Sequence, residues 1–144
     1  MNASYEASLG IPELDERFAR VFGHFNAVKK AQTEEGSWND IHFELATLNR
    51  DLEICFSVEE ALMRIHDCPG ADEHRREHIE LLDSVHALER ASLTTGLTEK
   101  MVGASYAATM AHHLTQDRRH VDCLTRRKLV VVRSEEHTSE LQSH

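Results

Sequence analysis

The chain has 144 residues, enough for one domain with a core, and carries 16 Lys+Arg against 25 Asp+Glu, a formal net charge of -9. That balance disfavours nucleic acid or an anionic membrane surface as the main partner, since both reward a basic face. No apolar run approaches the roughly 20 residues needed to span a bilayer. The first ten residues show no basic stretch followed by an apolar core, so no secretory signal is expected. Cys55, Cys68 and Cys123 are too few for a disulfide framework, and a reduced, cytoplasmic setting is expected. With two prolines, six glycines and 40% hydrophobic residues, the composition suits a soluble, helix-rich domain.

Residues 133–144 read RSEEHTSELQSH, which resembles the translation of a sequencing-adapter oligonucleotide. They are set aside from fold reasoning, as a fusion scar would be. The domain is then residues 1–132, with 15 bases and 22 acids once Arg133, Glu135, Glu136 and Glu140 are removed, net -7. The natural chain is expected to have continued beyond about residue 132, leaving room for a downstream signalling domain.

The first element is a helix over about residues 12–32. Leu14, Phe18, Val21, Phe22, Phe25 and Val28 recur at three- and four-residue steps, one apolar stripe. Pro12 suits its first position, and Glu13, Asp15 and Glu16 complement the positive end of the helix dipole. Residues 33–37 break the run, and Ser37 with Asp40 resembles an N-capping pair. The second stripe is Ile41, Leu45, Leu48, Leu52, Cys55, Glu59 and Leu62, ended by Cys68-Pro69-Gly70. The third is His74, His78, Leu81, Val85 and Leu88, stopping near Gly96. The fourth runs from about residue 98 to about 128, with Val102, Tyr106, Met110, Asp117, Val121 and Leu124 as candidate inward positions. Four amphipathic helices joined by short turns predict an all-α fold, an up-down-up-down antiparallel four-helix bundle.

Three stripes contain residues unsuited to a plain core. Glu59 lies four after Cys55 and three before Leu62, so it points inward with the leucines. His74 and His78 are one turn apart and can reach one point. The run from His112 to Asp117 adds imidazole and a carboxylate. A lone buried carboxylate costs several kcal/mol unless it is neutralised, paired or metal-bound. Imidazole nitrogens and carboxylate oxygens meeting between helices suit iron, zinc or manganese. Each piece has a plainer reading: a His pair at this spacing is common on solvated faces, Glu59-Glu60 near Arg64 could be an exposed salt-bridge group, and either His112 or His113 could be outside. The coincidence of metal-ligand residue types on three helices favours the metal site. His24, His42, His66 and His86 fall off the cluster or near helix ends and are read as solvated or capping; the role of His120 stays open.

At this point the chain resembles bacterial hemerythrins. That family's pattern is Asp-x-x-His, His-Phe-x-x-Glu-Glu, His-x-x-x-His and His-x-x-x-x-Asp. Here Phe56-Ser57-Val58-Glu59-Glu60 matches the second motif after its first residue, His74 to His78 the third, and His112 to Asp117 the fourth. Leu9-Gly10-Ile11-Pro12-Glu13-Leu14-Asp15 resembles the usual opening, so the likeness covers about residues 9–125. The resemblance implies that Glu59 and Asp117 are carboxylate ligands of the bridging kind and that His74, His78 and His112 bind one iron. His112 is chosen by the motif; an ideal helix would put His113 more nearly in line with Asp117. Two ligand histidines of the pattern are replaced, by Phe18 and Cys55, and in the family both serve the same iron. Phe18 cannot ligate, whereas Cys55 is either a thiolate donor or a small buried hydrophobe.

The expected function is therefore a hemerythrin-like, non-haem iron-binding domain for oxygen binding or for oxygen or redox sensing. Its dinuclear site is incomplete, with one ion rather than two, and dioxygen or another small diatomic molecule is the partner. The alternative is a degenerate, metal-free bundle acting as an interaction or signalling input module. An enzyme is not expected, since no Ser/His/Asp or Cys/His nucleophile arrangement, phosphate loop or zinc-finger spacing is present; a metal-dependent oxidase or hydrolase is the minor third reading.

Overall fold

A computed structural model of the chain describes residues 8–34, 37–94 and 96–125. Residues 133–144 and the expected continuation of the fourth helix to about residue 128 lie outside the described residues. The described part is helical, with no strand among the described residues, and has four long helices: α1 (Pro12–Thr33), α2 (Trp38–Ile65), α3 (Ala71–Leu93) and α4 (Glu99–His112). Helix α2 packs against α1 and α3, and α4 packs against the same two. Among the described residues no helix is long and apolar enough to cross a membrane.

The helix ends follow local chemistry. Asp15, in the first turn of α1, accepts hydrogen bonds from the Leu9 and Gly10 amides (2.7 and 3.0 Å) and from Ser8 Oγ (2.9 Å), pinning the incoming chain. Ser37 caps α2 by accepting from the Asp40 amide at 3.1 Å, as its sequence predicts. Helix α2 ends before Pro69, in a left-handed turn. Asp67 takes φ 55°, the Cys68 amide donates to Met63 O and the Asp67 amide to Arg64 O, which satisfies carbonyls the helix leaves unpaired. Thr98 caps α4 through the Met101 amide at 3.1 Å.

All six apolar residues of the α1 stripe are buried, as are Leu45, Leu48 and Leu52 of α2 and Leu81, Val85 and Leu88 of α3. Tyr106 meets the α1 aromatics edge-on, 5.7 Å from Phe22 and 5.5 Å from Phe25 between ring centres. Two expectations need correcting. In α4 the inward line is Val102, Ser105 and Thr109, while Tyr106 and Met110 sit half-buried on its flank. Small hydroxyl residues fit this close approach: Ser105 Oγ meets Ser84 Oγ of α3 at 3.0 Å, and Thr109 Oγ1 donates to Ser105 O at 2.9 Å. The cysteines also differ from the expected three thiols. Cys68 and Cys123 form a disulfide, with Cα atoms 6.0 Å apart, joining the α2–α3 turn to the helical residues after Asp117; only Cys55 is a free thiol.

Candidate metal centre

The end of the bundle beside the α2–α3 turn gathers buried imidazoles and carboxylates that the other end lacks among the described residues. Glu59 enters from α2, and His74 and His78 from the first turns of α3. His112 is the last residue of α4, and Asp117 closes a π-helical turn, His113–Asp117. Each of the five offers one ligand atom, and these atoms lie within 4.8 Å of one another with every residue buried.

The π-turn explains how a spacing of five can serve one point. In an α-helix, residues five apart diverge by about 140° around the axis. A wider turn takes up the extra residue, so His112, His113 and Asp117 are all buried. The tension between His112 and His113 in the sequence thus has a backbone answer: His112 is the member of the group that meets His74 and His78, and His113 lies on the α1 side, its ring centre 4.0 Å from that of Phe18. Thr115 Oγ1 donates to Ala111 O at 2.7 Å within the same segment.

The tautomers of two rings follow from their outer partners. His78 Nδ1 lies 2.6 Å from Glu60 Oε2, and His112 Nδ1 lies 2.8 Å from Glu77 Oε1. A carboxylate only accepts, so each Nδ1 donates its hydrogen outward, which leaves Nε2 of a neutral ring as a lone pair facing inward. His78 Nε2 is 3.0 Å from Glu59 Oε1, and His112 Nε2 is 3.0 Å from Asp117 Oδ1. Neither His78 Nε2 nor His112 Nε2 makes a hydrogen bond of good geometry among the described residues, and neither do the buried Glu59 Oε2 and Asp117 Oδ1, although Asp117 Oδ1 lies 2.9 Å from His74 Nε2. Lone pairs at this separation repel unless a positive charge lies between them. Glu60 and Glu77 are the outer residues that sequence reasoning missed. Glu60 stood there only in a solvated ion pair, and Glu77, beside Arg76, carries no signal along the chain that separates it from a surface acid.

In the metal-free protein, protons supply that charge. Burial opposes charging of His74, but its contacts with Asp117 (2.9 Å) and Glu59 (3.1 Å) outweigh burial and hold its pKa up at about 10. Burial likewise works against His112, and Asp117 again overcomes it, raising the pKa. Asp117 is pushed by burial towards its neutral form, yet the surrounding imidazoles hold its carboxyl well below the usual range. The Cys55 thiol is pushed well up, by burial first and then by the negative charges of Glu59 and Asp117. It is a neutral thiol beside the group, not one of the five.

Aromatic surfaces close the site. Phe56 stacks on His78, with ring centres 3.7 Å apart and planes 2° apart. His120 is buried, with its ring centre 4.9 Å from that of His74, Nδ1 2.9 Å from Gln116 O and Nε2 3.2 Å from Pro69 O. It therefore faces the turn rather than open water. His24, His42 and His66 stay outside the cluster, but His24 is more than solvated: it joins Glu44 of α2 at 2.8 Å to Asp51 at 2.9 Å. His42 stacks on Trp38. Beside the centre, Glu77 and His112 line a surface groove of about 290 Å³ with Ala111 and Gln116.

Comparison of the chain with protein-family models, curated proteins and solved structures finds no match. The residues fit a metal ion all the same. Three imidazoles and two carboxylates are hard-to-intermediate donors suited to iron, manganese or zinc, and two of the imidazoles have the outer carboxylates that metal-binding histidines ordinarily require.

Proposed function

We propose that this chain is a hemerythrin-like, non-haem iron-binding domain that binds oxygen or senses oxygen or redox state, with one full metal position. The ring of helix contacts and the short connections support an up-down-up-down arrangement, in which the metal site lies between α2, α3 and the end of α4. His74, His78 and His112 are the nitrogen ligands, and Glu59 and Asp117 the oxygen ligands. The observation that carries this reading is that Nε2 of His78 and of His112 points inward, each 3.0 Å from a carboxylate oxygen without a hydrogen bond of good geometry, while Nδ1 of each ring is held by an outer carboxylate. A ferrous ion held there would supply a one-electron couple and affinity for a small diatomic ligand.

The chain's own residues do the remaining work. Glu60 and Glu77 hold the rings of His78 and His112 in the required tautomer, Phe56 fixes the plane of His78, and the buried surroundings exclude water. A change at the metal would be passed along the π-turn towards the helical residues that follow it, where a downstream signalling domain would be attached.

Anaerobic loading with ferrous ion, followed by exposure to air, tests this reading. One iron per chain with an oxygen-dependent optical change is expected. Two irons with a reversible oxygen-dependent colour would overturn the one-metal account, and no retained metal would leave the metal-free interaction module, in which the proton on His74 holds Glu59 and Asp117 together permanently.

A further inference from the structure

We propose that His113, backed by Phe18, takes the place a second cation would occupy at Asp117, so that the centre is built for a single ion. The inference rests on the metal reading above and assigns a role to a buried residue which that reading does not use.

A carboxylate that joins two cations gives one oxygen to each. Asp117 divides its oxygens differently. Oδ1 lies 2.9 Å from His74 Nε2 and 3.0 Å from His112 Nε2, on the side of the three ligand rings. Oδ2 lies 3.0 Å from His113 Nδ1. Because the carboxylate only accepts, Nδ1 of His113 carries the hydrogen and donates it to Oδ2. A hydrogen-bond donor therefore stands where a metal would otherwise draw on that oxygen.

The surroundings admit no easy exchange of one for the other. His113 is fully buried, its ring centre 4.0 Å from that of Phe18 and 6.0 Å from that of Phe22. Phe18 stands at the position where the resemblance has a ligand imidazole, so hydrocarbon replaces a lone pair on the α1 side. The π-turn makes the substitution possible. In an α-helix His112 and His113 would point about 100° apart, and only one could face Asp117; with the wider turn, one ring reaches each oxygen of the same carboxylate. His113 is thus a positioning residue. It holds Asp117 with Oδ1 towards the ion and closes the second position.

Two measurements test this. In the unaltered chain, nitrogen-proton NMR of the histidine rings is followed while one equivalent of zinc is added. His113 Nδ1 is expected to keep its proton, while the Nε2 signals of His78 and His112 move; loss of the His113 Nδ1 proton on zinc binding would overturn the proposal. Second, zinc is counted in the Phe18→His/Cys55→His protein and in the same protein carrying His113→Leu. The first is expected to hold one ion despite its two added imidazoles, and the second two. Two ions with His113 in place, or one ion after its removal, would overturn the proposal. Failure of the unaltered chain to take up either zinc or ferrous ion is distinguishable from both, since it refutes the metal reading itself and this inference with it.

Discussion

The two ends of the bundle are equally dry and chemically opposite. Towards the α1–α2 connection the interior is mainly hydrocarbon, from Val28, Leu45, Leu48 and Leu88, with the uncharged Asn49 and Ser92 as its buried polar residues. Beside the α2–α3 turn, the same four helices bury Glu59, His74, His78, His112 and Asp117. Burial at the first end stabilises the fold at about 25 cal/mol per Å² of apolar surface. At the second end it costs several kcal/mol per ion unless the charges are matched. A sequence selected for stability alone would not place five such groups there, and the local structure bends to bring them together: a π-turn replaces regular helix, and two outer acids hold two of the rings.

Reducing the disulfide between Cys68 and Cys123, which spans 55 residues, should lower stability by about 4 kcal/mol on chain-entropy grounds. Denaturant unfolding with and without a dithiol measures this, and no difference would contradict the crosslink. At the apolar end, Leu48→Ala should cost about 2–5 kcal/mol with or without added metal, leaving metal affinity unchanged. At the polar end, Glu77→Gln should leave the metal-free fold nearly as stable but weaken metal binding by about 10–100-fold, read by competition with a chelator.

The comparison also has a pH signature. His74 is raised from 6.5 to about 10 in the metal-free protein, so its contribution to stability is fully present below 6.5 and is lost as pH rises through about 10. Asp117 works in the opposite sense: its depressed pKa gives stability that is present above 3.8 and lost as pH falls below it. Metal must displace the proton on His74, so uptake should release protons and tighten as pH rises. Melting of the metal-free and loaded forms across this range should show the gap between them widening from pH 6.5 towards 10. A gap independent of pH would argue that the ion binds elsewhere.

Much of this was legible along the chain, for physical reasons that differ by residue. The stripes of α1, α2 and α3 stand out because apolar side chains recur with the helical period, and Glu59, His74 and His78 interrupt that period with ligand types. Ser105 and Thr109 were missed because small hydroxyl residues on an inward face leave no apolar rhythm; Tyr106 and Met110, half-buried against the core on the flank, carried the only rhythm to be read there. The five-residue spacing of His112 and Asp117 signalled a conflict, but only the backbone could resolve it through the π-turn. Glu77 and the pairing of Cys68 with Cys123 depend on contacts between segments far apart in sequence. For these, neighbours along the chain carry no information.

If the polar end of the bundle holds an ion, the metal content of the folded chain must depend on its histidines. The protein is loaded with ferrous ion without oxygen, freed of unbound metal and compared with the His74→Ala/His78→Ala variant. One ion per chain is expected in the unaltered protein and none in the variant, with a metal-dependent rise in melting temperature confined to the former. Equal metal content and equal melting behaviour in the two proteins would contradict it.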